Sequence, residues 1–165
     1  MEPNVTCTAC TRQMKTKREN YRYDAVGLPG ITLKGVEVSR CSNCGEYEVV
    51  IPHIEDLHRT IARVVIAKRE RLTPAEIRFL RKYVGWSGAD FAAHVGATPE
   101  TVSRWETGST AMGVTADRLL RLIVASSEPT ADYSLESLKR VARLAPKPLR
   151  LGVKVTEGRW EPIAA

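Results

Sequence analysis

The sequence predicts an α+β protein in which a small N-terminal β domain is joined by a helix to an all-α domain of five helices. All four cysteines lie in the first 44 residues, with alternating apolar residues between them that indicate short strands. From residue 52 onward, apolar residues recur at helical spacing. We therefore divide the chain into a β domain (1–51), a linker helix (52–71), a helical domain (72–145) and a C-terminal extension (146–165).

The composition favours a polyanionic partner and gives no sign of a membrane segment. The chain of 165 residues has a formal net charge of +6, from 25 Lys and Arg against 19 Asp and Glu. Such an excess bears on association and solubility rather than on fold. No run of 18 apolar residues occurs, and the first ten residues lack the apolar segment of a signal peptide. We expect a cytoplasmic protein with no membrane partner.

The cysteines form two pairs, Cys7 with Cys10 and Cys41 with Cys44, each separated by two residues. This spacing lets both sulfurs of a pair reach one ion, and four thiolates complete the tetrahedral shell of a structural zinc ion. One Zn²⁺ per chain is therefore predicted. Two disulfides would require an oxidising compartment. A redox or iron–sulfur role stays open, and other thiophilic metals accept the same ligands.

Strands are predicted between and after the cysteine pairs. The apolar alternation of residues 31–33 resumes in the opposite phase at 36–38, across Gly35, which is typical of a β-bulge. Another strand is predicted at 47–51. Because a unit of about 50 residues has little core, a metal should supply much of its folding energy.

The linker segment has apolar residues near one helical face and a basic end at residues 67–71. That end is able to approach phosphate, although a solvated charge cluster is the commoner meaning of such a run. His53 and His58 lie close enough in sequence to be considered as metal ligands. Since four thiolates already fill the shell, we interpret both histidines as ordinary helix residues.

Clear start and stop signals divide the helical segment. Thr73 and Glu76 form a capping box with Pro74 at the first helical position. Thr115 is predicted to cap a later helix, which buries one apolar face made by Leu119, Leu122 and Ile123. An apolar stripe at residues 135–144 predicts the fifth helix.

The alternation over residues 149–155 predicts a strand near the C-terminus. A single strand is not stable alone. It pairs with something, possibly a second copy of the chain, or remains loose.

Residues 87–108 predict two short helices joined by a tight turn. Ser87 and Asp90 form a capping box, Gly96 supplies a positive φ, and Thr98 caps the helix that follows. This pattern is typical of a helix-turn-helix, whose second helix is presented to the DNA major groove. An ordinary helical hairpin with a solvated polar face is the alternative.

The second helix of the pair exposes several polar side chains once Val102 and Trp105 are buried. Arg104 is the best reader of a base, because its guanidinium is able to donate two hydrogen bonds to a guanine edge. The candidate DNA-binding residues are Ser87, Thr98, Glu100, Thr101, Ser103 and Arg104.

Residues 5–125 resemble the MqsA-type antitoxins. The resemblance is carried by the four cysteines, the linker helix, the segment RLTPAEIRFLRKYVGWSGADFAAHVGATPETVSRWETG and the later DRLLRLI. It implies a YgiT-type zinc-binding β domain followed by a five-helix Xre-like helix-turn-helix domain. It also implies a structural zinc, a dimer that represses its own operon at a palindrome, and a toxin, often a ribonuclease, bound largely by the zinc half.

The resemblance transfers only in part. The four cysteines correspond to the zinc ligands, and Arg104 matches an arginine that reads bases. Glu100 stands where the best-known family member has an asparagine, and its acceptor-only side chain suits a cytosine amino group rather than adenine. The operator sequence is therefore not transferable, and residues 146–165 lie outside the resemblance.

The sequence thus predicts a non-enzymatic, sequence-specific DNA-binding repressor, the zinc-containing antitoxin of a type II toxin–antitoxin pair. No carboxylate pair, nucleophile–base set or open metal site indicates an enzyme. The expected partners are a palindromic double-stranded operator, a small toxin and a second copy, which meets the first through the helices at 115–125 and 135–144. Those helices alternatively complete the monomer core. The functional alternatives are a free-standing repressor without a toxin and a zinc-ribbon module that binds protein.

Overall fold

The computed structural model describes residues 5–127 and 145–163. Within these ranges the chain forms five strands and five helices. In chain order they are β1 (Lys15–Arg22), β2 (Ile31–Arg40), β3 (Tyr47–Val50), α1 (Ile54–Ala67), α2 (Pro74–Tyr83), α3 (Gly88–Val95), α4 (Pro99–Thr107), α5 (Val114–Ser127), β4 (Leu151–Thr156) and β5 (Arg159–Ile163).

The strands form one sheet in which β2 is the central strand. Along one edge β2 pairs with β1, antiparallel. Its other edge is shared: Ile31 to Leu33 pair with β4 in parallel, and Glu37 to Arg40 pair with β3, antiparallel. Strand β5 completes a hairpin with β4 at the far side. The two ends of the sequence therefore contribute to the same sheet.

The predicted bulge at Gly35 is confirmed. The register between β1 and β2 shifts between Glu19 and Tyr21, opposite Gly35, which has a φ of +64°. The extra residue restores the inward direction of the apolar side chains on both sides of it. The four apolar side chains that this phase change serves, Ile31, Leu33, Val36 and Val38, are all buried.

The predicted fold class is wrong. The sheet is not a small N-terminal β domain followed by an all-α domain, because its strands come from residues 15–50 and 151–163, with the helices between them. The C-terminal strand was predicted, but its partner was not. Leu151 and Val153 are buried against β2, so pairing there removes two apolar side chains from water and satisfies the backbone of both strands. The predicted helix at 135–144 lies outside the described residues.

Trp160 on β5 holds the C-terminal hairpin against α1. The Thr60 hydroxyl donates to the Trp160 carbonyl (3.1 Å), and the Trp160 amide donates to Asp56 Oδ2 (2.8 Å). The indole Nε1 donates to the carbonyl of Pro52 (2.8 Å), and the ring is 4% exposed. Helix α1 therefore contacts β5 as well as α2 and α5.

The buried face of α5 differs from the predicted one. Leu122 is exposed, while Leu120 and Arg121 are fully buried. The segment LLRLIV is apolar almost all round, so hydropathy does not define its phase. The phase is set by a buried ion pair, in which Arg121 Nε donates to Asp117 Oδ1 at 2.7 Å. The helix begins at Val114, so Thr115 lies within its first turn.

The connection between α1 and α2 is held in place by hydrogen bonds and ion pairs of buried side chains. Arg121 donates hydrogen bonds to three backbone carbonyls, those of Ile66 in the last turn of α1 and of Lys68 and Glu70 in the connection. The other oxygen of Asp117 accepts from the Leu72 amide (2.9 Å) and from Arg71 Nε (3.2 Å). Lys68 forms a buried ion pair with Glu76. The basic run after α1 is therefore largely turned inward, not available as a phosphate-binding end.

No helix in the described ranges is long and apolar enough to span a bilayer.

Candidate metal centre and candidate nucleic-acid interface

Two turns of the same conformation carry the cysteines. In the first, the Thr11 amide donates to the Cys7 carbonyl (2.9 Å) and the Cys7 amide to the Arg12 carbonyl (2.8 Å). In the second, Gly45 donates to the Cys41 carbonyl (3.1 Å) and Cys41 to the Glu46 carbonyl (2.8 Å). Each turn thus brings the two sulfurs of its pair to the same side.

The four sulfurs converge on one point. Sγ of Cys7 lies 3.5 Å from Sγ of Cys44, and Sγ of Cys10 lies 3.4 Å from Sγ of Cys41. All four sulfurs lie within 4.8 Å of one another, and all four cysteines are free. Sulfurs bound to one tetrahedral zinc ion at about 2.3 Å are about 3.8 Å apart. The cluster therefore has the donor set and size of a closed four-thiolate metal site.

The thiols of this cluster do not ionise alike. A backbone hydrogen bond from Arg12, together with the thiol of Cys41, lowers the pKa of Cys10 to about 6. A backbone hydrogen bond from Glu46 lowers the pKa of Cys44, but hydrogen bonds with the other three thiols outweigh it and raise that pKa to about 12. Because metals bind thiolates, loading the cluster at neutral pH releases the remaining protons.

The cysteine cluster has its own small apolar shell. Cys7, Met14 and Cys41 are buried together, with Val5 and Cys10 packed against them. This shell is separate from the main core, which contains the inward side chains of β2 and of the helices. The cysteine turns therefore depend on their own contacts and on the ion they are able to hold.

Neither histidine near the cysteines in sequence belongs to this cluster. His58 instead pairs with Tyr23, whose hydroxyl oxygen lies 2.9 Å from His58 Nε2. Its burial lowers the pKa of His58 below the ordinary 6.5. The interpretation of His58 as a helix residue is confirmed, since it lies on α1. For His53 that interpretation is wrong, because His53 precedes the helix as its N-cap residue and has a left-handed backbone, with a φ of +49°.

The helix pair α3–α4 forms as predicted. Ser87 Oγ accepts from the Asp90 amide (3.1 Å) and the Asp90 carboxylate accepts from the Ser87 amide (2.9 Å), a complete capping box. Gly96 ends α3 with a φ of +68°, and Thr98 caps α4. Buried between the helices and the core are Phe91, Ala92, Val102 and Trp105.

The predicted DNA-binding residues lie on this pair, in different settings. Ser103 and Arg104 are exposed on α4, while Thr98 and Thr101 bond to each other at the start of the helix (Oγ1 to Oγ1, 3.1 Å). Glu100 is exposed, and its own backbone amide, then Thr98 and the charge of Arg104, hold its pKa below the ordinary 4.5. The sixth candidate, Ser87, is exposed but engaged as a cap.

The sequence did not reveal the ion pairs that attach the end of α4 to α2. The Glu106 carboxylate is paired with both Arg78 and Arg81 on α2. Arg81 Nη1 also donates to the Trp86 carbonyl (2.6 Å), just before α3. The Trp86 ring stacks on His94 of α3 with centroids 3.9 Å apart. In the sequence, Glu106 is followed by Thr and Gly, and nothing nearby indicates that its carboxylate is buried. Its role is visible only from its ion pairs with another helix.

No family model, no curated protein and no solved structure matches this chain. The resemblance to MqsA-type antitoxins accordingly stays a prediction.

Proposed function

We propose that this protein is a sequence-specific DNA-binding repressor that inserts α4 into the major groove. The observation that carries the proposal is the α3–α4 pair. Both helices begin at side-chain caps, a left-handed glycine joins them, and their apolar faces are buried while Ser103 and Arg104 face solvent. A rigid, capped helix with an exposed arginine is suited to read a base edge.

The helix pair itself carries more acidic than basic side chains, so its contacts with phosphate depend on neutral hydrogen-bond donors. Residues 87–108 contain one arginine, Arg104, and three acidic residues, Asp90, Glu100 and Glu106. Two of these acids lie at helix N-termini, where they offset the helix dipole, and Glu106 is paired with two arginines. The exposed hydroxyls of threonine and serine, and those backbone amides that the caps do not engage, then supply phosphate contacts.

For the cysteine cluster we propose structural zinc. Four thiolates favour Zn²⁺ over hard cations, and a shell with no open position leaves the ion without a catalytic role. The zinc would hold the two turns together across 30 residues of intervening chain and so fix the end of the β1–β2 hairpin. Elemental analysis of protein purified without added metal tests the identity of the ion.

Repressor-grade discrimination needs more base contacts than one helix makes, so we further propose a two-fold dimer on a palindrome. Half-sites would be about 34–36 Å apart. The α5 face of Leu119, Leu122 and Ile123, left wholly or partly exposed in the described chain, supports this surface as the contact between copies. Light scattering with footprinting tests it, and a monomer protecting one asymmetric half-site contradicts it.

The decisive experiment selects binding sequences from a random duplex library and then compares two variants. Arg104→Ala should lose about 1–3 kcal/mol at one base position and relax specificity there. Arg159→Ala removes the same charge from the exposed side of β5 and should leave both affinity and specificity unchanged. Ser87→Ala should weaken binding evenly across sequences. Unchanged binding by Arg104→Ala, or failure of the parent to enrich any sequence, contradicts the proposal and leaves the protein-binding alternative.

A toxin partner is proposed on the resemblance alone. If the adjacent reading frame encodes a small toxic protein that co-purifies with this chain, the antitoxin role stands. If it does not, the free-standing repressor remains.

A further inference from the structure

A cavity of about 650 Å³ lies where the β1–β2 turn, α1, α2 and the end of α4 meet. Its apolar wall includes Val26, Ala75, Phe79 and Tyr83. The two rings lie next to each other, with centroids 6.1 Å apart. This volume and this lining fall in the range of sites that bind small organic molecules.

The charged groups of the cavity leave a positive charge uncompensated. Both acids in its lining are paired: Asp24 with Arg22 (2.9 Å), and Glu106 with the two arginines of α2. Lys82 is exposed and forms no ion pair with any residue that the structure describes. An anion is therefore favoured over a cation.

Two further polar groups point to a carboxylate. Arg78 uses Nε and Nη2 on Glu106, at 3.4 Å from Oε2 and 3.2 Å from the carbonyl. Its Nη1 has no hydrogen bond to the described part of the chain. The other polar residue is His58, which lines the cavity and whose Nε2 is paired with the Tyr23 hydroxyl.

We propose that this cavity binds a small aromatic carboxylate. The ring lies against Phe79 and Tyr83, and the carboxylate is held by Lys82 and by Nη1 of Arg78. Recognition thus combines apolar contact with a charge-assisted hydrogen bond. No part of this binding requires DNA.

The cavity also adjoins the helix proposed to read DNA, so its occupation should alter DNA affinity; this consequence rests on the proposed function. Arg78 contacts both the ligand position and Glu106, the last charged residue of α4. The start of α2 also approaches the end of α4 at Gly108, where an added Cβ would lie 3.3 Å from Pro74 Cγ. A ligand that reorients Arg78 therefore acts on the end of α4.

The test uses the full chain and 1-naphthoate as the probe, with 1-naphthamide as its uncharged counterpart. Binding of both compounds is measured by calorimetry and by NMR chemical-shift changes. The parent should bind naphthoate saturably, and Lys82→Gln should weaken this by at least about five-fold because a charge-assisted contact is lost. Ala25→Trp, at an exposed position in the cavity wall, should abolish binding by filling it. Lys17→Gln, an exposed position on β1, is the charge-matched control and should bind like the parent.

Each opposite result overturns the proposal. If the parent shows no saturable binding of naphthoate, the cavity is not a binding site for this class of ligand. If Lys82→Gln or Ala25→Trp binds naphthoate as tightly as the parent, the ligand binds at another place on the protein. If 1-naphthamide binds as tightly as 1-naphthoate, the cavity does not select an anionic ligand. Melting curves of the variants check that all are folded. Operator affinity is then measured with and without naphthoate: no sequence-specific DNA binding without ligand contradicts the proposed function alone, whereas unchanged operator affinity with bound naphthoate overturns the coupling alone.

Discussion

Thr11 and Gly45 occupy the same position in the two cysteine turns, and both have a left-handed backbone, with φ of +59° and +79°. Each amide donates to the carbonyl of the first cysteine of its turn. Glycine adopts this conformation freely, but for a β-branched residue it costs about 1–2 kcal/mol. The Thr11 hydroxyl donates to the Cys10 carbonyl (2.7 Å), which offsets part of that cost.

Thr11→Gly should therefore make the cysteine turn more stable, by about 1 kcal/mol, and Gly45→Thr should destabilise the other turn by about the same amount. The expected readout is the chelator concentration that removes half of the metal, higher in the first variant and lower in the second. Gly27→Ala, at a left-handed glycine in the β1–β2 turn, is the control. It should lower the melting temperature without changing the chelator midpoint. The opposite order of midpoints for the two turn variants would falsify this account.

Metal removal should loosen the cysteine turns and leave the sheet folded. The cluster of Cys7, Met14 and Cys41 is separate from the main core, whereas Ile31 and Leu33 are fully buried within it. Hydrogen exchange after chelation should speed up at residues 5–14 and 41–46 and stay slow in β2 and α1. This differs from the expectation for an independent N-terminal domain, which would unfold throughout. Fast exchange across the whole of β2 would show that the metal supports the entire sheet.

Trp160→Ala should destabilise the protein by about 3–5 kcal/mol, the usual cost of truncating a large buried aromatic side chain. The change also removes the indole donor to Pro52. Ile163→Ala on the same strand is the control, since Ile163 is 38% exposed and should lose far less. Denaturant unfolding measures both. Similar losses in the two variants would mean that the hairpin is not anchored through Trp160.

Arg121→Met should cost about 3–5 kcal/mol, because it leaves the Asp117 carboxylate buried without its main cation and frees three backbone carbonyls. Leu122→Ala, at the next and exposed position, should stay within about 0.5 kcal/mol in the single chain. Because Leu122 belongs to the proposed contact between copies, both variants are compared at a protein concentration low enough to keep the chain monomeric. The measurement is urea unfolding at neutral pH. A larger loss in Leu122→Ala than in Arg121→Met would contradict the assignment of the buried face of α5.

Local signals allowed part of this structure to be predicted. The starts of α2, α3 and α4 depend on a cap and residues within one turn, so Thr73, Ser87 and Thr98 were readable from the sequence. The two cysteine turns were readable for the same reason. The convergence of all four sulfurs was predicted because a metal requires it, not because the intervening chain shows it.

The remaining features depend on contacts between distant segments. The partner of β4 is a parallel strand far away in the sequence, and parallel pairing leaves no turn motif to mark it. The phase of α5 depends on Asp117 and Arg121, whose burial hydropathy treats as unfavourable. The error in α5 arises because apolar patterning detects a buried face only when apolar residues alone form it.

The parallel pairing of β2 with β4 also determines when the sheet is able to close during synthesis. Asp56 and Trp160, which join α1 to the hairpin, are 104 residues apart. A ribosome needs about 5–20 s for some 100 residues, and for that time the Ile31–Leu33 edge of β2 has no partner. An open strand edge is a template for association with other chains. A chain released before β4 is made would keep that edge open, so incomplete translation products of this protein should be prone to aggregation and degradation.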